Sequence, residues 1–255
     1  MIKYIFKCIF VTSALAILGV SISFAALVMD QDQSADTAPS VAMYRFQVPS
    51  ELQGAYNSAS VANLTASMEK EPNTLSMNVA HVKGNPSESY VVEIYKDLAA
   101  IETHRKSDHY QAFVNEVGSK LTNRKMYDVQ SVLLFEKKDA LSIVNDGKAV
   151  VTLTEFIVNS NDIDTVQRQY QLDIERAVRD DEGYKAGYVL RERNAKNHWY
   201  VIQIYSDQAA LTKHVNSPGY RFMMSQIQGS LQNVTTKVLD GDVLVNHGGQ
   251  AFVRP

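Results

Sequence analysis

Two histidines and one glutamate are the residues of this chain best suited to moving a proton. His104 and His214 share the same short sequence context, and an imidazole with an ordinary pKa of about 6.5 exchanges protons at neutral pH. Glu93 is a carboxylate within an otherwise apolar run, where burial would raise its pKa and suit it to acid–base chemistry. These three residues are the candidate catalytic groups, with His104 and Glu93 preferred over His214.

Each candidate also has a purely structural interpretation. His104 lies at helical spacing from the small and apolar residues before it, so it could simply pack and hydrogen-bond at a helix end. Glu93 could pair with Arg105 or Lys83 and hold a sheet together. Both interpretations stay open at the level of the sequence.

Four tyrosines and the single tryptophan could line a cavity for a flat, apolar ligand. Their rings would stack on such a ligand and the tyrosine hydroxyls would donate hydrogen bonds, although buried aromatic residues more often belong to a core or an interface. The candidate substrate-binding residues are Tyr90, Tyr95, Tyr200, Tyr205 and Trp199.

The other histidines indicate no metal site. Their spacing matches no common set of metal ligands, and His109 is expected on an exposed helix start. The only cysteine, Cys8, lies near the N-terminus, and no glycine-rich phosphate loop is present. The histidines other than His104 and His214 are His81, His109, His198 and His247. We therefore predict no metal and no cofactor.

The elements that must position these side chains are repeated. The segment from Tyr90 to Tyr110 recurs 110 residues later, with 10 of 21 positions identical. A period of this length is a domain rather than a solenoid unit. The chain therefore carries two copies of one small fold. Position 203, the counterpart of Glu93, is glutamine, which indicates that the copies are no longer equivalent.

Each copy follows the pattern strand–helix–strand–strand–helix–strand. Alternating apolar residues and β-branched runs predict the strands, and apolar positions at helical spacing predict the helices. Asp97 and Asp207 are expected to cap the second helix of each copy. The predicted strands are Met43–Val48, Leu75–Val82, Tyr90–Tyr95 and Asp128–Phe135, then Val151–Val158, Lys185–Arg191, Tyr200–Tyr205 and Val234–Leu244.

This βαββαβ order is the ferredoxin-like arrangement, an α+β fold. The third strand is largely apolar on both faces: Tyr90, Val92 and Ile94 point one way, and Val91, Glu93 and Tyr95 the other. Helices cover only one face of such a sheet, so the second face also needs a cover. We predict that the two copies pack sheet to sheet as an internal pseudo-dimer, an intramolecular dimeric α+β barrel.

The N-terminal residues and the net charge of the chain indicate where the protein acts and which partners it has. Lys3 and Lys7, an apolar run and Ser23-Phe24-Ala25 are typical of a cleaved export signal, with an N-terminal membrane anchor as the alternative. The formal net charge is −3, so no nucleic-acid partner is expected. We predict a signal peptide (1–25), a disordered spacer (26–41), domain 1 (42–137), a linker (138–149), domain 2 (150–246) and a loose tail (247–255), with no membrane contact after cleavage.

The run from Glu93 to Tyr110 resembles the antibiotic biosynthesis monooxygenase family. It shows that family's Glu-x-Tyr strand end, capping Asp97, alanine pair, His104, Ser107 and terminal aromatic residue. The second copy fits at Gln203, Tyr205, Asp207, Ala209, Ala210, Leu211, His214, Ser217 and Tyr220.

The resemblance implies a barrel-forming oxygenase that needs no metal or flavin. A phenol or hydroquinone that loses a proton can itself reduce O₂, so the protein supplies an apolar cavity, a proton acceptor and hydrogen-bond donors. The expected partners are a small aromatic or quinol ligand and O₂. A non-catalytic binding module is the alternative; haem is less favoured, because Val114 and Met224 stand where the haem-degrading branch has histidine.

Overall fold

The computed structural model describes residues 38–255, and the first half has the predicted order of elements. The predicted signal peptide (1–25) and residues 26–37 of the spacer lie outside the described residues. The second predicted helix is divided in two at Ser107. The elements are β1 (Ser40–Gln47), α1 (Gln53–Lys70), β2 (Thr74–Val82), β3 (Asn85–Tyr95), α2 (Leu98–Lys106), α3 (Asp108–Glu116), β4 (Thr122–Tyr127) and β5 (Val129–Glu136).

The second half repeats this order. Two short strands differ from expectation: the predicted linker contains β6 (Leu141–Val144), and the tail expected to be loose contains β11 (Ala251–Val253). Both pair with strands whose edges would otherwise stay open, β6 with β10 (Leu231–Asn246) and β11 with β5. The elements are β6 (Leu141–Val144), β7 (Val150–Val158), α4 (Ile163–Asp180), β8 (Tyr184–Glu192), β9 (His198–Tyr205), α5 (Gln208–Val215), α6 (Pro218–Ile227), β10 (Leu231–Asn246) and β11 (Ala251–Val253).

The predicted aspartate caps are present in both halves. Asp97 accepts a hydrogen bond from the backbone N–H of Ala100, and Asp207 accepts one from that of Ala210, each at 2.8 Å. Each side chain thereby satisfies a backbone donor that the first turn of a helix leaves without a partner. Within residues 38–255, no helix combines the length and apolarity needed to cross a membrane.

The last strand of each half crosses to the other half. β5 pairs with β8, and the C-terminal part of β10 pairs with β2, whereas β4 and the N-terminal part of β10 pair with their own first strands, β1 and β7. Only Asp128 separates β4 from β5, so one extended segment links β1 to β8 and closes the sheet into a barrel. The predicted intramolecular barrel is confirmed, and the exchanged strands hold it together.

The barrel separates three cores. Tyr90, Val92 and Ile94 of β3 meet Tyr200 and Ile202 of β9 in the interior. The opposite faces of these strands pack under the helices, in one separate cluster per half. Burying one large apolar side chain stabilises a fold by about 1.5–3 kcal/mol, so a single half with an uncovered sheet would lose a large part of its stability.

Candidate functional site

His104 is buried where the ends of three helices meet. Its Nδ1 lies 3.1 Å from Glu71 Oε2, just past the end of α1, and 3.3 Å from the hydroxyl of Ser67. His109, in the first turn of α3, places Nε2 2.8 Å from Glu71 Oε1. Nε2 of His104 is buried without a hydrogen-bond partner. Glu71 therefore joins two histidines, one from each side of the break at Ser107.

The position of His109 corrects the sequence interpretation. It does occupy a helix start, since α3 begins at Asp108, but its side chain is only 12% exposed. Ser107 caps α3 by accepting a hydrogen bond from the N–H of Tyr110. The chain turns at this cap, so the first turn of α3 faces the end of α1 and His109 points at Glu71.

Glu93 belongs to the same region and faces the helices. Its Oε2 accepts a hydrogen bond from the Tyr95 hydroxyl at 3.0 Å. Burial raises the pKa of Glu93, opposed by the charge of His104, by this hydrogen bond and by the charge of Arg105. Of the two cations considered as partners, Arg105 acts on Glu93, whereas Lys83 lies 3.9 Å from Asp240. The structure thus brings Glu93 and His104 together, and their catalytic role stays a prediction.

His214 occupies the equivalent place in the second half with different neighbours. Its Nε2 lies 3.3 Å from Asp173 Oδ2 and 3.5 Å from Nε2 of Gln203, and its Nδ1 lies 3.7 Å from Asp181 Oδ2. Arg176 donates a hydrogen bond to Asp173. This site is an ion-paired cluster between two aspartates and one arginine.

The five aromatic candidates do not line one common cavity. Tyr90 and Tyr200 lie inside the barrel, where the ring of Tyr200 meets that of Tyr127 edge to face at 5.3 Å. Tyr95, Tyr205 and Trp199 lie on the other side of the sheet, under the helices. A direct role in substrate binding stays a prediction for these residues, and all five are buried.

A pocket of about 170 Å³ lies in the first half between α1 and the sheet. Its most polar feature is His81, whose Nδ1 is 2.8 Å from Asp242 Oδ1. The hydrogen bond to Asp242 raises the pKa of His81, opposed by partial burial. The lining residues are Gln53, Tyr56, Asn57, Ser60, Val79, His81, Pro86, Ser89 and Asp242, so neither Glu93 nor His104 is among them.

Two polar atoms of residues that line this pocket lack a partner. Asn57 Oδ1 and Ser60 Oγ are buried and make no hydrogen bond, whereas the hydroxyls of Tyr56 and Ser89 satisfy each other at 2.9 Å. Leaving a buried polar atom unpaired destabilises a fold by about 1–3 kcal/mol. These two atoms therefore reduce the stability of the first half, and neither is exposed to the pocket itself.

The corresponding space in the second half is filled. At the offset of 110 residues, Ser89 is replaced by Trp199 and Ser60 by Tyr170. The ring of Phe156 stacks on Tyr170 at 5.8 Å and lies 6.4 Å from Trp199. Further replacements put Val166 for Tyr56, Arg191 for His81 and Val132 for Asp242. The polar pocket of the first half thus corresponds to a packed, mainly apolar core in the second.

Sequence reasoning missed the pocket residues, although part of the signal was available. The serines opposite Trp199 and Tyr170 in the repeat remove two large aromatic volumes from the first copy, and this predicts a cavity there. Asp242 gave no such signal. It comes from the second half and sits on a bulge where the pairing of β10 with β2 shifts register.

Comparison with known proteins identifies the fold and the family. A family model described as antibiotic biosynthesis monooxygenase matches residues 39–116 and 149–225. The chain is similar to a "putative monooxygenase" of Lactobacillus acidophilus NCFM, with a TM-score of 0.78 and 19% identity over 84% of this chain and 99% of that one.

Two further solved structures have the same fold. One, from Fusobacterium nucleatum, is also named "putative monooxygenase" and has a TM-score of 0.76 at 19% identity, over 86% of this chain and 99% of that one. The other, an anthrone oxidase-like protein, has a TM-score of 0.52 at 10% identity, over 87% of this chain and 98% of that one. No curated protein matches the chain.

Proposed function

This chain belongs to the antibiotic biosynthesis monooxygenase family, and we propose that it is an exported monooxygenase that oxidises a small phenol or hydroquinone with O₂, using neither metal nor flavin in that reaction. The observation that carries this proposal is the polar pocket of the first half beside the His81–Asp242 pair. The second half, where this space is filled, serves as the structural partner.

The pocket has the size and polarity for one hydroxylated aromatic ring. Its volume of about 170 Å³ is close to that of an engineered cavity of roughly 150 Å³ that takes up benzene in another protein. The lining residues include the hydroxyls of Tyr56, Ser60 and Ser89 and the amides of Gln53 and Asn57, which are the kinds of group that hydrogen-bond to ring hydroxyls. A single ring is therefore the preferred substrate class.

His81 is the proposed proton acceptor. Asp242 holds Nδ1 and stabilises the imidazolium, as carboxylate partners do for catalytic histidines. Nε2 then takes the phenol proton, and Asp240 Oδ2, 3.8 Å from this atom, adds a favourable charge. Because the pKa of His81 is raised, the imidazole is a stronger base than an ordinary histidine.

The remaining steps balance without an added cofactor. The phenolate gives one electron to O₂, and the aryloxyl radical and superoxide combine at a ring carbon that carries hydrogen. The imidazolium returns its proton to the peroxide formed. The O–O bond then breaks as the ring hydrogen leaves, and one oxygen stays on carbon while the other departs as water. Phenol and O₂ thus yield quinone and water.

The pair of His104 and Glu93 is the second candidate for the proton-transfer role. It lies outside the lining of the pocket but on the same side of the sheet. A non-catalytic binding module is the second candidate function, favoured by the loss of the pocket in the second half. An enzyme and a binding module can share this fold, and a measurement of turnover distinguishes them.

Oxygen uptake with a panel of phenols and hydroquinones tests the proposal. Wild type should consume O₂, and His81→Ala should lower kcat/KM by about 100-fold or more, the usual contribution of a general base. His198→Gln is the matched control, because it removes a histidine outside the pocket. If only His104→Ala lost O₂ uptake, His104 would be the proton acceptor. Binding of phenols without O₂ uptake would support the binding module.

The proposed export has its own test. The mature protein recovered from the native host should begin at Ala26 when its N-terminal peptide is identified by mass spectrometry. Recovery of peptides from residues 1–25 in the mature protein, together with membrane association, would support the alternative of an N-terminal anchor.

A further inference from the structure

Glu71, His104 and His109 form a second group of interest, separate from the pocket. One carboxylate oxygen and one imidazole nitrogen of each histidine lie within 4.8 Å of one another. Glu71 and His104 are buried, and His109 is nearly so. Three converging donors of this kind, held by three helix ends, make a geometrically defined site.

The donor atoms suit a divalent transition metal. Two imidazoles and one carboxylate bind Zn²⁺ or Fe²⁺ at about 2.0–2.2 Å, with further positions left for water. Donor atoms around such an ion lie somewhat farther apart than hydrogen-bonded atoms, and the pairs here are at 2.8–3.3 Å. A small opening of the cluster would therefore admit the ion. Ca²⁺ and Mg²⁺ prefer oxygen ligands and fit this set poorly.

Neighbouring hydroxyls support these donors. Thr74 donates a hydrogen bond to Glu71 Oε2 at 2.8 Å, which orients the carboxylate. Ser67 Oγ lies 3.3 Å from Nδ1 of His104, close enough to contribute a further oxygen. Nδ1 is the nitrogen of His104 that faces Glu71, so it is the atom that would bind the ion. Supporting contacts of this type are common around metal ligands.

The second half shows what the first half lacks. Asp181 and His214 stand in the places of Glu71 and His104, but Gly219 replaces His109. The guanidinium of Arg176 occupies the space beside Gly219 and bonds to Asp173. Lys213 also pairs with Asp181, at 3.1 Å. Two built-in cations therefore balance the carboxylates of that site.

Neither cation has a counterpart in the first half, and one carboxylate is also absent there. Ala66 replaces Arg176, Asn63 replaces its partner Asp173, and Thr103 replaces Lys213. The carboxylates there are Glu71 and, nearby, Glu93, with Arg105 as the cation that acts on Glu93. Buried carboxylates require compensation, and in place of a guanidinium the first half presents a second imidazole.

We propose that Glu71, His104 and His109 bind one divalent transition-metal ion of the Zn²⁺ type, in the first half only. The ion takes the place that Arg176 fills in the second half and joins α1, α2 and α3 at their ends. The inference goes beyond the proposed function and does not depend on it, because the binding is measured without substrate.

Titration of the untagged full chain with Zn²⁺ and with Co²⁺ tests this site. Wild type should bind one equivalent, Co²⁺ should show visible absorption typical of nitrogen and oxygen ligands, and Zn²⁺ should raise Tm by mass action. His109→Gly should weaken binding by about 100-fold or more, beyond the 10–100-fold typical of supporting residues alone. This variant carries the residue of the second half, so it is the substitution least expected to disturb folding.

Two controls make the result decisive. His198→Gln removes a histidine that lies between Glu155 and Glu192 and should leave the stoichiometry and affinity unchanged. Glu71→Gln should weaken binding with an unchanged circular dichroism spectrum. Absence of binding in wild type, or equal binding in wild type and His109→Gly, would overturn the proposal. In the second case the ion would be held elsewhere.

Discussion

The two halves of this chain share one scaffold and differ in what lies between helices and sheet. In the first half, a polar pocket and a histidine–glutamate cluster occupy this layer. In the second half, Trp199 and Tyr170 fill the pocket position, and Arg176 fills the cluster. The helix caps and the exchanged strands are common to both. After duplication, the barrel constrained the backbone of both copies, and the side chains under the helices could diverge.

The comparison suggests a division of labour. A pocket with unpaired polar atoms reduces stability, whereas a packed aromatic core increases it. Because the halves exchange strands, the stability of the second half also supports the first.

Exchanging the residues at the pocket position should destabilise the second half more than the first. Trp199→Ser removes a fully buried ring and should lower the free energy of unfolding by about 3–5 kcal/mol, as large-to-small core changes do. Ser89→Trp should destabilise by only about 1–3 kcal/mol, because part of the ring enters existing space, and should abolish phenol binding. Urea unfolding and ligand titration measure both effects. Equal destabilisation would contradict the claim that only the second half is filled.

Glu136, a buried carboxylate of the first half, should make the free energy of unfolding depend on pH, whereas its counterpart in the second half should not. Glu136 accepts a hydrogen bond from the Tyr188 hydroxyl at 2.7 Å, and burial raises its pKa to about 7, opposed by that bond. Its counterpart in the second half is Asn246. The folded state therefore holds this proton more tightly than the unfolded state does, and the resulting stability is present below about pH 4.5 and lost as the pH rises through 7.

Glu136→Gln should remove this dependence. Between pH 4.5 and 8, the carboxyl should lower the free energy of unfolding of wild type by at most about 3 kcal/mol. The variant lacks this loss, so its stability relative to wild type should increase as the pH rises. Urea unfolding at both pH values measures the difference. Parallel pH profiles for the two proteins would show that Glu136 titrates normally.

The helix caps should give the smallest effects, and equal ones. Asp97→Ala and Asp207→Ala each remove a hydrogen bond of 2.8 Å to a first-turn N–H, so each should destabilise by about 1 kcal/mol. The two variants should agree within about 0.5 kcal/mol, since their geometry is the same. A clear difference in thermal or urea unfolding would mean that the scaffold itself has diverged between the halves.

The sequence allowed much of the fold to be predicted but only part of the candidate site. Local patterns determine strands, helices and caps, and these were identified in both copies. The structure places Glu93 near His104, because the strand and the following helix are adjacent in the chain. The approach of Glu71 and His109 was missed, because it depends on how the end of α1 meets the turn at Ser107.

Repeats and periodicity are local properties, so the amino-acid sequence is enough to identify a duplicated βαββαβ chain whose third strand is largely apolar on both faces. The contribution of Asp242 to the pocket beside His81 and the change of partners by the final strands are visible in the folded chain alone. Strand pairing across more than a hundred residues depends on the edges that remain open after each half has formed, and no local pattern records that choice.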